Sequence, residues 1–583
     1  MNTPESLIRN YLENWAARNG ISVPFDVSIS SNLAFGDYAS NIALVGFKHL
    51  KGYKSPRDVG EKIIAFLTES HEIYEVFEKI EVAGAGFINF SLSEKFLLQT
   101  LREIVQPKAD YGKLSARKGG VFVVEYSSPN IAKPFTIGHL RSTIIGDAVA
   151  NLLEAVGADV KRDNHLGDWG SQFGKQIYAV KTWGNEEKIK NSENPVKELV
   201  KLYVKFHEEA KRNPELEEKA REWFKKLENG DREARELWEK CITWSLQEFQ
   251  KLYRLLGVEF TENNGLGYGE SFFEDKMDSV VKELRRKNLL TKDDGAELVF
   301  FPEEKYPPLM ILKKDGTTLY ATRDLATDKF RLQKYPDAVI INEVGIEQQL
   351  YFQQLFEVEK MLGWVEDGQR IHIKHGHYRF KEGKMSTRRG NVIWLEDVLG
   401  EAVKRASALS KQTHEFDEAL RHNPGFIKKT NNAEKIAIGA LKWNDLRRNP
   451  EQDIVFDWDD ILNMQGNSGP YVQYTYVRTK GVLDKIKSDN LKIENIKMNA
   501  EESELLRFLT FYPYLLEKAA GDFAPNILCN YLFELSQKYN LFYQKHKIIG
   551  SEVEGFRAVI TRATGNVLRD GLQILGIETV EEM

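Results

Sequence analysis

A glycine–histidine pair, Gly138-His139, lies within the stretch Ser127 to Asp147, SSPNIAKPFTIGHLRSTIIGD. Glycine lets backbone approach a ligand closely, and the histidine beside it offers a hydrogen-bond donor to an oxyanion. Far downstream, Tyr320 and Asp324 stand four residues apart, so on a helix they share a face. An aromatic ring beside a carboxylate suits a guanidinium, which stacks on one and forms a forked pair with the other. The residue types thus offer phosphate chemistry in one place and cation recognition in another.

These side chains need elements to hold them. The run Val121-Phe122-Val123-Val124, ending at Glu125, reads as a buried parallel strand. Pro129 and Pro134 keep the following loop extended, so helix starts only after them, near Gly138. Leu140, Ile144, Ile145, Ala148, Leu152 and Val156 recur at helical spacing until Gly157 stops the run. Strand, tight loop and helix in an open α/β sheet place phosphates at the helix N-terminus. Asp159 to Asn164 reads as a second strand, and the Gly-rich segment His165 to Gly174 brings backbone close to something. In the latter, Trp169 reads as packing. LMILKKDGTTLYATRDLATDKF is read as the second half of the nucleotide fold, with a strand, a turn at Asp315-Gly316, and a helix that Tyr320 and Asp324 enter.

With 583 residues the chain exceeds one core and should form about three domains. Its 42% hydrophobic and 29% charged residues are those of an ordinary soluble protein. No membrane span or secretory signal is evident, which sets a cytoplasmic expectation. Cys241 and Cys529 are far apart without Cys-x-x-Cys spacing, so no zinc and no other bound metal is expected. A net charge of -6 does not advertise nucleic-acid binding, so any phosphate-binding surface must be local. Lys48, Lys51, Lys54 and Arg57 form one candidate group and Lys480, Lys485 and Lys487 another.

SPNIAKPFTIGHLRSTIIGD resembles the first signature of class I aminoacyl-tRNA synthetases in the form carried by arginyl-tRNA synthetases. That signature is His-x-Gly-His, and here Thr136 stands at its first histidine. GKMSTRRG, Gly383 to Gly390, is similar to the second signature, Lys-Met-Ser-Lys-Ser, and lacks its later lysine. The resemblance extends to FGDYASN and GAGFINF near the N-terminus, to the GDWG segment after His165, to Gly269-Glu270-Ser271 and to the closing VITRATGNVLRDGLQILGIETVEEM.

The resemblance implies a Rossmann-like parallel-sheet catalytic domain at 113–455, with a helical insertion at about 185–257. An N-terminal α+β domain at 1–112 that contacts the tRNA D-loop precedes it, and a C-terminal all-α anticodon-binding bundle at 456–583 follows. It implies an arginine–tRNA ligase that uses ATP with Mg²⁺ to form arginyl adenylate, then passes arginine to tRNA(Arg), as a monomer and generally with tRNA bound for activation. His139, Lys133, Lys384 and Arg388 would be catalytic, and Thr136, Gly138, His139, Lys384, Met385 and Ser386 would bind ATP. Glu125, Ser128, Asn130, Tyr320, Asp324 and either Gln348 or the adjacent Gln349 would bind arginine. Phe87, Asn89, Tyr471, Tyr474, Arg478 and Met583 would contact tRNA. In the N-terminal part, EVAGAGFINFSL reads as one strand, and from about 405 onward the sheet pattern gives way to helices.

Overall fold

An apolar run with no polar face must be covered on both sides, and β5 (Val121–Glu125) is central in its sheet. The computed structural model describes residues 3–30, 32–106, 111–380, 393–416, 429–486 and 497–583. In it β5 pairs in parallel with β6 (Asp159–Asp163) on one side and β10 (Val339–Gly345) on the other. β11 (Arg370–His375) completes the parallel order β11-β10-β5-β6. Chain order reverses between β5 and β10, which opens a crevice at their carboxyl ends.

The signature helix, Ile137–Ala155, roofs that crevice, and most of it is buried, Arg141 and Asp147 included. Arg141 is held by Asp445 and by the carbonyls of Pro450 and Gln452. Ser142 Oγ donates to the Glu343 carbonyl of β10 at 3.2 Å, which fixes the helix across the reversal point. Gly146 lies so close to the chain leaving β5 that an added Cβ would stand 2.2 Å from Tyr126 Cβ.

Four helices fill the segment expected as an insertion: Glu186–Lys190, Pro195–Arg212, Glu215–Glu228 and Arg232–Leu256. The last ends at Gly257 with φ 64°. It is more than an appendage. Trp238 Nε1 donates to the Asp168 carbonyl at 2.8 Å, and Tyr253 Oη lies 3.0 Å from Ser127 Oγ.

Three sequence expectations change. The segment read as one strand is a hairpin: β3 (Phe77–Ala83) and β4 (Phe87–Leu92) pair antiparallel about Gly84 and Gly86, whose φ of 53° and 130° allow the reversal. With β1 (Val27–Ile29) and β2 (Tyr38–Ser40) they form the sheet β1-β2-β4-β3. The strand before Tyr320, β9 (Leu309–Leu312), lies outside the parallel sheet, in an antiparallel group with β7 (Leu290–Asp293) and β8 (Ala296–Val299). Strand structure also returns after 405, where β13 (Ile454–Phe456) pairs in parallel with β12 (Tyr378–Phe380).

The C-terminal part is helical, from Gly469–Leu483 through Glu554–Ile574. It shares apolar core with the N-terminal part: Tyr38 meets Phe511 edge-on at 5.6 Å, and Asn566 Nδ2 donates to the Ile104 carbonyl. The substitution Gly146→Ala should cost roughly 1–3 kcal/mol through overpacking. Urea unfolding reads this directly, and an unchanged midpoint would mean the helix and strand part freely.

Candidate active site

The loop from β5 to the signature helix is strained before any ligand arrives. Ser127 and Ala132 hold φ of 56° and 57°, positions that cost a side-chain-bearing residue. Buried hydrogen bonds pay for this, from Ser127 Oγ to Thr143 Oγ1 at 2.6 Å and from Ala132 N–H to Ser245 Oγ at 3.1 Å. The helix begins one residue before Gly138, with Thr136 as its cap. Thr136 N–H donates to His139 Nδ1 at 2.9 Å, and Thr136 Oγ1 stands 3.1 Å from the same nitrogen. Burial lowers His139 to about 4, with His375 and Lys133 pushing the same way, so the ring is neutral at pH 7. Because Nδ1 accepts, the proton sits on Nε2, which makes His139 a neutral donor. Lys133 is half-buried, and burial lowers its pKa against the attraction of Glu270.

Beside this helix lies a cleft of about 420 Å³. Glu125, Ser128, Asn130, Tyr320, Asp324 and Gln348 all line it, drawn from β5, its loop, the helix Tyr320–Lys334 and the turn after β10. Between the two glutamines left open by the sequence, Gln348 reaches the cleft lining and Gln349 does not. Gly167 brings the GDWG segment against Asn130 through paired backbone, with Ile131 N–H donating to the Gly167 carbonyl at 3.1 Å. Trp169 is packing, edge-on to Trp238 at 5.6 Å.

The charges inside are unequal. Glu125 Oε2 accepts from Arg331 Nη1 at 2.5 Å and from Asn342 Nδ2 at 3.1 Å. Arg331 also pairs with Asp163 at 2.7 Å and Asp328 at 3.2 Å, and Arg370 pairs with Asp328 at 2.7 Å and Glu359 at 2.9 Å. Burial resists ionisation of Asp328, but Arg370 and Arg331 prevail and hold it below the usual range. Asp324 differs: its partners are the Tyr351 hydroxyl and, at 3.9 Å, the imidazole of His165. Burial raises Asp324, against His165 and the Tyr351 hydrogen bond. Glu270 faces Arg323 at 3.2 Å.

The class I (R) tRNA synthetase catalytic domain matches residues 100–458, the DALR anticodon binding domain 472–583, and the arginyl tRNA synthetase N terminal domain 4–92. An arginine–tRNA ligase of Fusobacterium nucleatum is 40% identical over 569 residues, 96% of this chain and 95% of that one. The chain belongs to the arginyl-tRNA synthetase family. A second relative, the arginine–tRNA ligase of Halothermothrix orenii, is 39% identical across 96% of this chain and 95% of its own. The arginyl-tRNA synthetase structure of Plasmodium falciparum aligns over 100% of both chains at TM-score 0.82 and 25% identity. That of Thermus thermophilus, at 21% identity and TM-score 0.83 over 99% and 100%, shares the fold.

For this arginyl-tRNA synthetase family member, Lys384, Met385, Ser386 and Arg388 lie outside the described residues, as does Lys487. Of the residues expected at tRNA, Phe87 is exposed at the hairpin while Asn89 is buried on β4. Tyr471, Tyr474 and Arg478 share the helix Gly469–Leu483. Arg478 lies over Tyr474 at 4.8 Å and Tyr543 at 5.1 Å, and Tyr471 Oη accepts from Asn540 at 3.0 Å while its ring meets Phe533. Met583 packs partly buried against the core. Lys480 pairs with Glu581.

The sequence reading did not place His165, Glu270, Asp328, Arg331, Asn342 or Tyr351 in the site. One signal was present: Asp324, Thr327, Asp328 and Arg331 repeat at i, i+3, i+4 and i+7, a polar stripe on a helix expected to be packed, and all four line the cleft. Removing Arg331 as Arg331→Met leaves Glu125, Asp163 and Asp328 short of a cation. A loss of about 3–5 kcal/mol is expected in urea unfolding. Near-equal stability would show that the remaining charges rearrange.

Proposed function

We propose that this chain is an arginine–tRNA ligase that activates L-arginine with ATP and transfers it to the 3′ end of tRNA(Arg). The observation that carries the reading is Asp324. Among the described residues it is a half-buried carboxylate in the cleft with no lysine or arginine partner, whereas its neighbours Glu125 and Asp328 are already served by Arg331 and Arg370. A half-buried carboxylate left with a phenol and an imidazole is matched by an incoming guanidinium. Tyr320 at the mouth offers a ring for stacking, and Gln348, Ser128 and Asn130 offer hydrogen bonds to the rest of the amino acid.

In the first step the arginine carboxylate attacks the α-phosphorus of ATP and pyrophosphate leaves. In the second, a ribose hydroxyl of the terminal adenosine attacks the adenylate carbonyl and AMP leaves. Neither step requires a protein nucleophile, so catalysis is alignment and charge stabilisation. His139 Nε2–H donates to a phosphate oxygen at the helix start beside Gly138, with Thr136 setting its tautomer. Lys133, Lys384 and Arg388 supply positive charge to the departing pyrophosphate, and Met385 and Ser386 contact the nucleotide. Mg²⁺ is taken to arrive on the triphosphate, whose oxygens are the ligands a hard cation prefers, and the reading assigns no zinc.

The proposal extends to the division at 112 and 455, to a monomer acting in the cytoplasm, and to tRNA contacts through Phe87, Asn89, Tyr471, Tyr474, Arg478 and Met583. Phe87 and the Arg478–Tyr474 stack are supported best, since an exposed ring and a planar cation over a half-buried one suit unpaired bases.

Arginine-dependent ATP–pyrophosphate exchange, with and without tRNA, tests the reading, and exchange supported by another amino acid would overturn it. Asp324→Asn should raise the arginine KM about tenfold to a hundredfold, the 1.5–3 kcal/mol of a charged hydrogen bond. His139→Ala should lower kcat by the same factor at pH 6 and pH 8, because a group near 4 is neutral at both. A deficit that grows toward pH 6 would assign His139 a charged role.

A further inference from the structure

His165 stands in the cleft wall with its two ring nitrogens in unlike situations. Nδ1 lies 3.0 Å from the Tyr268 carbonyl, which can only accept, so Nδ1 carries a proton. Nε2 is buried without a hydrogen-bond partner, and Asp324 Oδ1 is 3.9 Å away. In a neutral ring, Nε2 would present a bare lone pair toward a carboxylate. In a protonated ring it presents an N–H toward the same carboxylate, which suits both groups.

We propose that His165 is a positioning residue that trades its Nε2 proton for the guanidinium of arginine: the imidazolium balances Asp324 in the empty cleft, and the entering guanidinium displaces that proton. The inference rests on the arginine reading above. The proton leaves Nε2 for solvent, the N–H···carboxylate interaction is replaced by guanidinium N–H to Asp324, and neutral Nε2 turns from donor to acceptor for a guanidinium N–H. No bond between heavy atoms forms or breaks. The role also keeps this half-buried carboxylate paired at every stage.

The charged groups around the ring favour this. Glu125 on β5, Asp324 on the helix Tyr320–Lys334, Glu270 in the turn before Phe273 and Asp168 in the loop of His165 are the acidic groups facing the ring, and Arg331 is the opposing cation. Burial alone would lower His165, but Glu125, Asp324 and Glu270 outweigh burial and Arg331 and raise it. A second cation beside Asp324 must reverse that balance. The sign follows: between the filled-state and empty-state pKa values arginine binding releases up to one proton, and arginine affinity rises with pH by at most about tenfold per unit.

Calorimetric titration of L-arginine into the full chain, in buffers of different ionisation enthalpy from pH 6 to pH 8.5, counts the protons. Release of a substantial fraction of one proton near neutrality, fading at the alkaline end, is expected. Citrulline, which is neutral, should release none. His165→Asn and His165→Gln should bind arginine with no release in this range and a flat pH dependence of Kd. Arginine binding without release by the unaltered chain overturns the exchange and leaves the substrate reading standing, and this arm needs no variant. Release that persists in a folded His165 variant also overturns it. Failure to bind arginine even with ATP and tRNA present overturns the exchange together with the arginine reading.

Discussion

The active region depends on a buried arginine of the chain itself. Arg331 joins three carboxylates from two strands and its own helix, and Arg370 extends the network to a fourth at Glu359. Ions taken from water into a protein interior are costly, and only close pairing on all sides offsets that cost. The pairing therefore fixes how the helix Tyr320–Lys334 sits on β5 and β6, and with it the direction in which Asp324 faces the cleft. The resident arginine also divides the cleft's anions by charge balance, holding Glu125, Asp163 and Asp328 while leaving Asp324 without a lysine or arginine partner among the described residues.

A second constraint acts at the start of the signature helix. The signature helix is wedged over the sheet by Gly146 against Tyr126 and by Arg141 against Asp445. Its first turn is therefore held where His139 takes a defined tautomer from Thr136 N–H. A threonine at the first signature position is compatible with this geometry, since the interaction that orients His139 comes from backbone that any residue supplies. Neutral His139 presents a directed donor, and under the proposed reading the fixed charges would come from lysine and arginine. That division suits a site where negative charge moves during reaction and a titrating group would tie the rate to pH.

The outer parts follow a different logic. The hairpin sheet and the C-terminal helices meet through aromatic packing, Tyr38 on Phe511 and Tyr111 beside Tyr512, rather than through a flexible linker. A shared core fixes the distance between exposed Phe87 and the Arg478 stack. Under the proposed tRNA contacts, that fixed spacing would let the two surfaces engage one tRNA at separate places.

Much was determined by sequence alone. The strand Val121–Glu125, the proline-held loop, the helix from Ile137 and the helical insertion are local, since hydrophobic period, Pro and Gly act within a few residues. The family resemblance and the Tyr320–Asp324 spacing also brought Glu125, Ser128, Asn130, Tyr320, Asp324 and, with Gln349 as an alternative, Gln348 into view, and these six line the cleft. Tertiary structure decided what those residues can do. Glu125 and Asp324 are alike as sequence, yet Glu125 meets Arg331 from 206 positions away while Asp324 meets a histidine. The hairpin at Gly84–Gly86 and the placement of β9 were likewise matters of strand partner, which an alternating pattern does not specify. Charge balance and strand pairing depend on long-range neighbours, and only the folded chain brings those neighbours together.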